Sequence, residues 1–260
     1  MYYRELEAPQ YLRNLVLSFW EFAVPETVPP FQQEIFPDGC VSVICVRNQR
    51  AGVHVVGLSG LHLQTVSKPM TPGDSVWGMR ISPAALLSVL GEDPKKMIDT
   101  SFFGADANPA LLAGLAEEMA AVIDLEEAVS VFESRIRDIA AGPHAADQLV
   151  AAAVRIIEEN RGEIRVGELS RQLGLSTRQF QRRFKQSAGL SPKQYIRARR
   201  IRAAAIDIIR DSAPNWAERA ASLGFADQSH LSREVVSLTN RSPNSFAENV
   251  SKIEHGHIIE

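Results

Sequence analysis

The stretch VGELSRQLGLSTRQFQRRF, Val166 to Phe184, reads as a short helix, a glycine turn and a second helix. Gly174 stops the first helix and Ser176 stands where it can cap the second. Phe180 and Phe184 are four apart, so they share one helix face and point into the domain. Arg178, Gln181, Arg182 and Lys185 occupy the outward side at the same three- and four-residue spacing. In isolation, a solvated surface helix with an apolar stripe would show the same pattern. The rest of the chain has to decide.

The arrangement occurs twice. WAERAASLGFADQSHLSREV, Trp216 to Val235, repeats the layout, with Gly224 in the place of Gly174. A small residue, Ser170 or Ala220, stands four before each glycine, where two crossing helices approach closely. An apolar residue, Leu175 or Phe225, follows each glycine and can fill the corner. This is helix-turn-helix logic, in which the second helix projects into a DNA major groove. Arg can take guanine bidentately and Gln can take adenine, so Arg178, Gln181 and Arg182 suit base reading. Arg183 and Lys185 suit phosphate contacts. Between the two copies a helix is expected from Pro192 to about Arg210. At ~1.5 Å per residue it spans nearly 30 Å, against ~34 Å for one turn of B-DNA. The run RARRIR, Arg197 to Arg202, is open to two readings: contacts to the DNA backbone, or a salt-bridged helix surface.

Charge points the same way. Residues 1–143 hold 10 Lys and Arg against 18 Asp and Glu, residues 144–260 hold 18 against 13, and residues 161–241 hold 16 against 7. An acidic first half and a basic second half fit a polyanion partner for the second. The best linker is AGPH, Ala141 to His144, where the charge changes sign. The expected division is therefore 1–143 and 144–260, with helix-turn-helix units at about 166–187 and 216–239. No apolar run reaches the ~18–20 residues of a membrane span. MYYRELEAPQ lacks the basic start and apolar stretch of a secretory signal, so the cytoplasm is the expected location.

Glu168–Ile209, ELSRQLGLSTRQFQRRFKQSAGLSPKQYIRARRIRAAAIDII, together with GFADQSHLSR at Gly224–Arg233, resembles the DNA-binding domain of the AraC/XylS family of bacterial transcription regulators. The similarity covers roughly 150–248. It implies two helix-turn-helix units on a linker helix, binding double-stranded promoter DNA, with RNA polymerase as a further contact in an activator. It implies that Arg178, Gln181 and Arg182 match the first reading helix, and Gln228, Ser229 and Arg233 the second. The second copy departs from the pattern. Val235 stands where members usually carry an aromatic, Asn240 where they carry glycine, and Arg219 where an aliphatic core residue is usual. VVSLTN also lacks the cations of the first copy, so the first unit is expected to carry more of the binding energy.

The first hundred residues read as mostly β. CVSVICV, VHVVGLSG and DSVWGMRI are strand runs, and FPDGC supplies a turn. SPAALLSVLG reads as a helix with Ser82 as cap, Pro83 first and Gly91 as stop. NPALLAGLAEEMAAV and LEEAVSVFESRIRDIAA follow as helices. The fold class is thus α+β: a mostly-β sensor domain with trailing helices, then an all-α double helix-turn-helix domain. FPDGCVSVI and VWGMRISPAALLSVLG resemble an uncharacterised domain found on some AraC-type regulators, and the family resemblance makes a cupin-like form the expectation.

Trp20, Asp38, Trp77 and Arg80 are the candidate walls of an effector pocket, although a turn aspartate and core tryptophans would explain them nearly as well. The stripe Val129, Phe132, Ile136 and Ile139 is a candidate homodimer face, with packing on its own β-domain as the alternative. Cys40 and Cys45 read as buried free thiols. His54 and His62 are too isolated for a metal cluster, and no nucleophile turn, phosphate loop or dinucleotide fingerprint is present. The expectation is a regulator rather than an enzyme, without metal or cofactor, whose first domain senses a small-molecule effector or dimerises. The rivals attach the same DNA module to a metal-dependent enzyme or to a protein-interaction domain.

Overall fold

The computed structural model describes residues 1–140, 146–211 and 215–255. Residues 1–103 supply eight strands: β1 (Tyr2–Glu7), β2 (Val16–Ala23), β3 (Phe31–Ile35), β4 (Val41–Asn48), β5 (Val53–Ser59), β6 (Val66–Met70), β7 (Ser75–Ile81) and β8 (Ser101–Phe103). A short β9 (Glu254–His255) pairs in parallel with β1. Among the described residues the main sheet runs β8-β5-β4-β7-β2-β1-β9, and β3 and β6 form a separate antiparallel ribbon. The strand period of two sorts the side chains. Phe19, Val43, Cys45, Leu58, Trp77 and Met79 enter the hydrophobic core behind the sheet, while Tyr3, Trp20, Ile44, Val46, Val55 and Arg80 face the other way.

Helices cover the core side. α1 (Leu86–Leu90) is only five residues long and ends at Gly91 as expected. It starts later than the sequence pattern suggests, because the Ser82 hydroxyl accepts from the Ala84 N–H and the Ser82 carbonyl from Ala85 N–H, making a turn of Ser82–Pro83. The next helical run is broken at Gly114 into α2 (Pro109–Leu112) and α3 (Leu115–Met119). α4 (Leu125–Ala140) packs its stripe on its own sheet: Phe132 and Ile136 are fully buried, and the Phe132 ring lies 6.4 Å from that of Phe19. The proposed dimer face is thus used within the chain. Burying the Phe132 ring and the Ile136 side chain behind β2 removes their apolar surface from water within one chain.

Among the described residues the second half is helical apart from β9: α5 (Gln148–Glu159), α6 (Val166–Gln172), α7 (Thr177–Ala188), α8 (Pro192–Arg210), α9 (Trp216–Ser222), α10 (Gln228–Thr239) and α11 (Pro243–Ser251). The division expected at 143/144 falls within residues 141–145, outside the described residues. The hydrophobic core does not divide there. Phe180, Phe184, Leu190 and Tyr195 belong to the same cluster as Leu61, Leu86 and Met97 of the β-domain. The Ser187 hydroxyl donates to the carbonyls of Pro83 (3.0 Å) and Ala84 (3.2 Å), fixing α7 against the start of α1. A second cluster, from Ile201 and Trp216 to Phe246 and Val250, belongs to the last helices, with Phe36 packed against it.

Linker helix α8 lies on the β-domain at the FPDGC turn. Gly39 has φ +76°, and a Cβ there would stand 2.6 Å from the Tyr195 ring, so only glycine permits this approach. Among the described residues no helix is long and apolar enough to cross a membrane.

Candidate DNA-reading surface and interdomain cavity

The two helix-turn-helix copies repeat bond for bond. In the first, Leu173 N–H donates to Leu169 O (3.1 Å), Gly174 N–H to Arg171 O (3.0 Å) and Leu175 N–H to Ser170 O (2.9 Å). In the second, Leu223, Gly224 and Phe225 donate to Arg219, Ala221 and Ala220 at 3.1, 3.2 and 2.8 Å. Both glycines are left-handed, φ +69° and +65°, as this helix ending requires. Ser170 and Ala220 are each 1% exposed, confirming the close helix crossing.

The second helix of each unit is capped. Ser176 and Gln179 form a reciprocal box: Gln179 N–H donates to Ser176 Oγ (3.3 Å), and Ser176 N–H to Gln179 Oε1 (3.1 Å). Asp227 accepts from His230 N–H at 2.6 Å. Ser176→Ala is expected to cost about 1 kcal/mol of stability, read by urea unfolding with the helix otherwise intact. An unchanged midpoint would mean that water satisfies the freed amide at no cost.

Phe180 and Phe184 are fully buried with ring centres 5.7 Å apart, and Phe184 continues to Tyr195 at 5.8 Å. That anchoring presents Arg178, Gln181, Arg182 and Lys185 to solvent. Among the described residues Arg178, Arg182 and Lys185 make no ion pair, so these cations stand ready for a polyanion. Arg183 differs: its Nε–H donates to Asp147 Oδ2 at 2.7 Å, and Asp147 also caps α5. In the second unit Gln228, Ser229 and Arg233 are exposed, while Val235 is core. Asn240 takes the left-handed conformation at the end of α10, φ +55°. Buried Arg219 donates to Asp211 O and lies 5.4 Å from the Trp216 ring centre, which accounts for a cation at an apolar position.

The arginines of the RARRIR run are engaged by partners within the chain. Arg197 binds Glu234 and Ser237, and Arg199 binds Glu158 and the Asp38 carbonyl. Arg200 donates to the carbonyls of Gly162 (3.0 Å) and Gly224 (3.1 Å), and Arg202 pairs with Glu5 at 2.9 Å. Of the two readings of this run, the salt-bridged surface holds, because α8 is sandwiched and its guanidinium groups must find internal partners.

A cavity of about 630 Å³ lies in front of the sheet. Trp20, Ile44, Val46 and Val55 wall it from the β-domain, and Ile201, Ala205, Ile209 and Phe246 from the helical half. Of the four residues singled out from sequence, Trp20, Asp38 and Arg80 line it together. Trp77 lies on the opposite face, with the Arg47 guanidinium 4.6 Å from its ring centre. The period of two explains the split, since Trp77 and Arg80 are three apart on one strand.

The residue that sequence reasoning missed is Glu5, 1% exposed. Arg80 reaches it at 2.7 Å and Arg202 at 2.9 Å, the Tyr3 hydroxyl donates to it at 2.6 Å, and Arg80 also binds Asp38 at 2.6 Å. Burial pushes the Glu5 carboxyl up, but Arg202 and Arg80 with the Ser18 and Tyr3 hydroxyls outweigh it and hold the group at about 2. For Asp38 burial likewise opposes Arg80, and the net shift is down. Alternation in YYRELE puts Tyr3 and Glu5 on one face, which was the available signal; their partners lie far along the chain.

The β3–β6 ribbon closes the cavity over the second unit. Glu34 grips the Arg241 guanidinium through two N–H groups, Phe36 meets Phe246 edge-on at 4.8 Å, and Thr65 N–H donates to Leu238 O at 3.1 Å. Among the described residues no group of three or more His, Cys, Asp or Glu could hold a metal ion. Cys45 lies 3.5 Å from His54 Nε2, but burial pushes its thiol up to about 11, which keeps it protonated.

Residues 169–249 match the family model described as a helix-turn-helix domain, and residues 4–103 match one described as a domain of unknown function, DUF6597. No curated protein matches the chain. Among solved structures, ToxT from Vibrio cholerae O395 is 14% identical, with 89% of this chain and 96% of that chain covered and a TM-score of 0.45. Unsaturated fatty acid bound wild-type ToxT from Vibrio cholerae strain SCE256 is also 14% identical, with 91% and 96% covered and a TM-score of 0.45. The AraC-like transcriptional activator CuxR is 18% identical, with 75% and 78% covered and a TM-score of 0.23.

Proposed function

We propose that this chain, whose residues 169–249 are an AraC-type helix-turn-helix domain, regulates transcription in response to a small apolar effector held between its two halves. DNA is read by α7, with Arg178, Gln181 and Arg182 at base edges and Lys185 on phosphate, and by α10 through Gln228, Ser229 and Arg233. The observation that carries the effector reading is the shared wall of the cavity: Ile201, Ala205 and Ile209 sit on α8, the helix that joins the two reading units. Its volume falls in the ~300–1,000 Å³ range of ligand sites. A molecule lodged there touches the β-domain and α8 together, so it favours whichever relative placement it fits better.

Filling the cavity tests this. Ala205→Trp should abolish the fluorescence enhancement of anilinonaphthalene sulfonate, an apolar anionic dye, on the full chain. It should also leave operator affinity indifferent to any effector that shifts the parent protein. Dye binding unchanged in the variant would place the dye elsewhere and remove the cavity's claim to be the effector site.

A further inference from the structure

The cavity has two polar ends, and they differ in what they leave unfilled. At the β1–β2 end the charges are closed among themselves: Glu5, Arg80, Arg202 and Asp38 satisfy one another. There, among the described residues, the Trp20 indole N–H is the buried side-chain group without a partner. The β5–β8 end is open. His62 is 8% exposed; its Nε2 lies 3.4 Å from Ser59 Oγ, and its Nδ1 has no partner. Ser101, paired in register with Ser59, has a buried hydroxyl without a partner. Lys68 lines the same end and meets no carboxylate among the described residues. Its ammonium is near enough that, after burial, it is the next cause lowering the His62 pKa. Buried polar groups without partners are costly, and a cluster of them facing an empty apolar space points to a ligand group that completes them.

Resting on the effector reading above, we propose that the Ser59–His62–Ser101–Lys68 end receives the carboxylate of an apolar monocarboxylic acid. The Ser59 hydroxyl donates to His62 Nε2, which leaves Nδ1–H as a donor. That N–H, the Ser101 hydroxyl and the Lys68 ammonium then converge on one acid group. One unpaired cation matches one negative charge. A neutral head group would leave Lys68 without a counter-charge, and a multiply charged one would bring uncompensated charge into an apolar space. The hydrocarbon body runs along Ile44 and Val55 towards α8. Thr65, three residues from His62, donates to the last turn of α10, so the head group lies beside the contact to the second reading unit.

The test compares decanoic acid with decanol on the full-length protein by dye displacement and calorimetry at neutral pH. The acid should bind about tenfold or more tightly than the alcohol. Lys68→Gln should shrink that preference to about twofold without weakening the alcohol, and Lys68→Arg should restore it. Equal binding of acid and alcohol, or a preference untouched in Lys68→Gln, would overturn the head-group assignment while leaving the cavity reading in place. Failure of the dye and of both decyl probes to bind the parent protein would overturn the cavity reading as well.

Discussion

Glu5→Gln is expected to destabilise the protein by about 3–5 kcal/mol, because it leaves the Arg202 guanidinium without its carboxylate and Arg80 with Asp38 alone. For a chain of this size that corresponds to a fall of roughly 6–20 °C in melting temperature. The side chain keeps its shape, so the loss is one of charge and hydrogen bonding and not of packing. Arg202 belongs to α8, so the same change loosens the seat of the linker helix on the β-domain. The pH dependence follows from the sign of the shift. Glu5 is held at about 2, below the ordinary ~4.3 of a glutamate, so its contribution is complete above that ordinary value. It is lost as pH falls from about 4 through 2. The parent should therefore lose stability across that window more steeply than Glu5→Gln. Equal melting temperatures at pH 7 would show that the pair contributes nothing net.

The second large effect is on DNA. Arg178→Ala with Arg182→Ala should weaken operator binding by about a hundredfold or more, each arginine accounting for roughly 1–3 kcal/mol. Both are anchored from beneath by buried Phe180 and Phe184, so their removal should leave the unfolding free energy within about 0.5 kcal/mol of the parent. Arg233→Ala should cost less than Arg182→Ala, since the exposed face of α10 carries a single cation where α7 carries several. The reverse order, measured by anisotropy at one salt concentration, would make the second unit the dominant reader.

The helical half was legible because its signals are local. Glycine turns, caps and the i, i+4 phenylalanines each act within one or two helical turns, and the structure reproduces the left-handed Gly174 and Gly224, the Ser176 cap and the buried phenylalanine pair. Strands β4, β5 and β7 were legible for the same reason. The roles of Arg197–Arg202 were not, since nothing local distinguishes an arginine facing Glu158 or Glu5 from one facing phosphate. The cavity was half legible: Trp20, Asp38 and Arg80 were visible as unusual residues, whereas His62, Ser101 and Lys68 acquire meaning only once β5, β6 and β8 surround one space. The break at Gly114 was missed because an apolar run fits one long helix as well as two short ones, and the α1 start because Ser82 and Pro83 suit a turn as well as a cap.

The shared core also determines how DNA binding must be measured. Phe184 and Leu190 pack in one cluster with Leu61 and Met97, so a fragment beginning after residue 145 would expose the underside of the first unit. The most direct measurement is sequenced selection from a random-duplex library on the full chain at several salt concentrations. A split motif with half-sites about one helical turn apart, or one short motif with a steep salt slope if the second unit holds only phosphate, is the result predicted for a sequence reader. No enrichment at any salt concentration would leave the arginines of α7 as a charged surface and contradict the account.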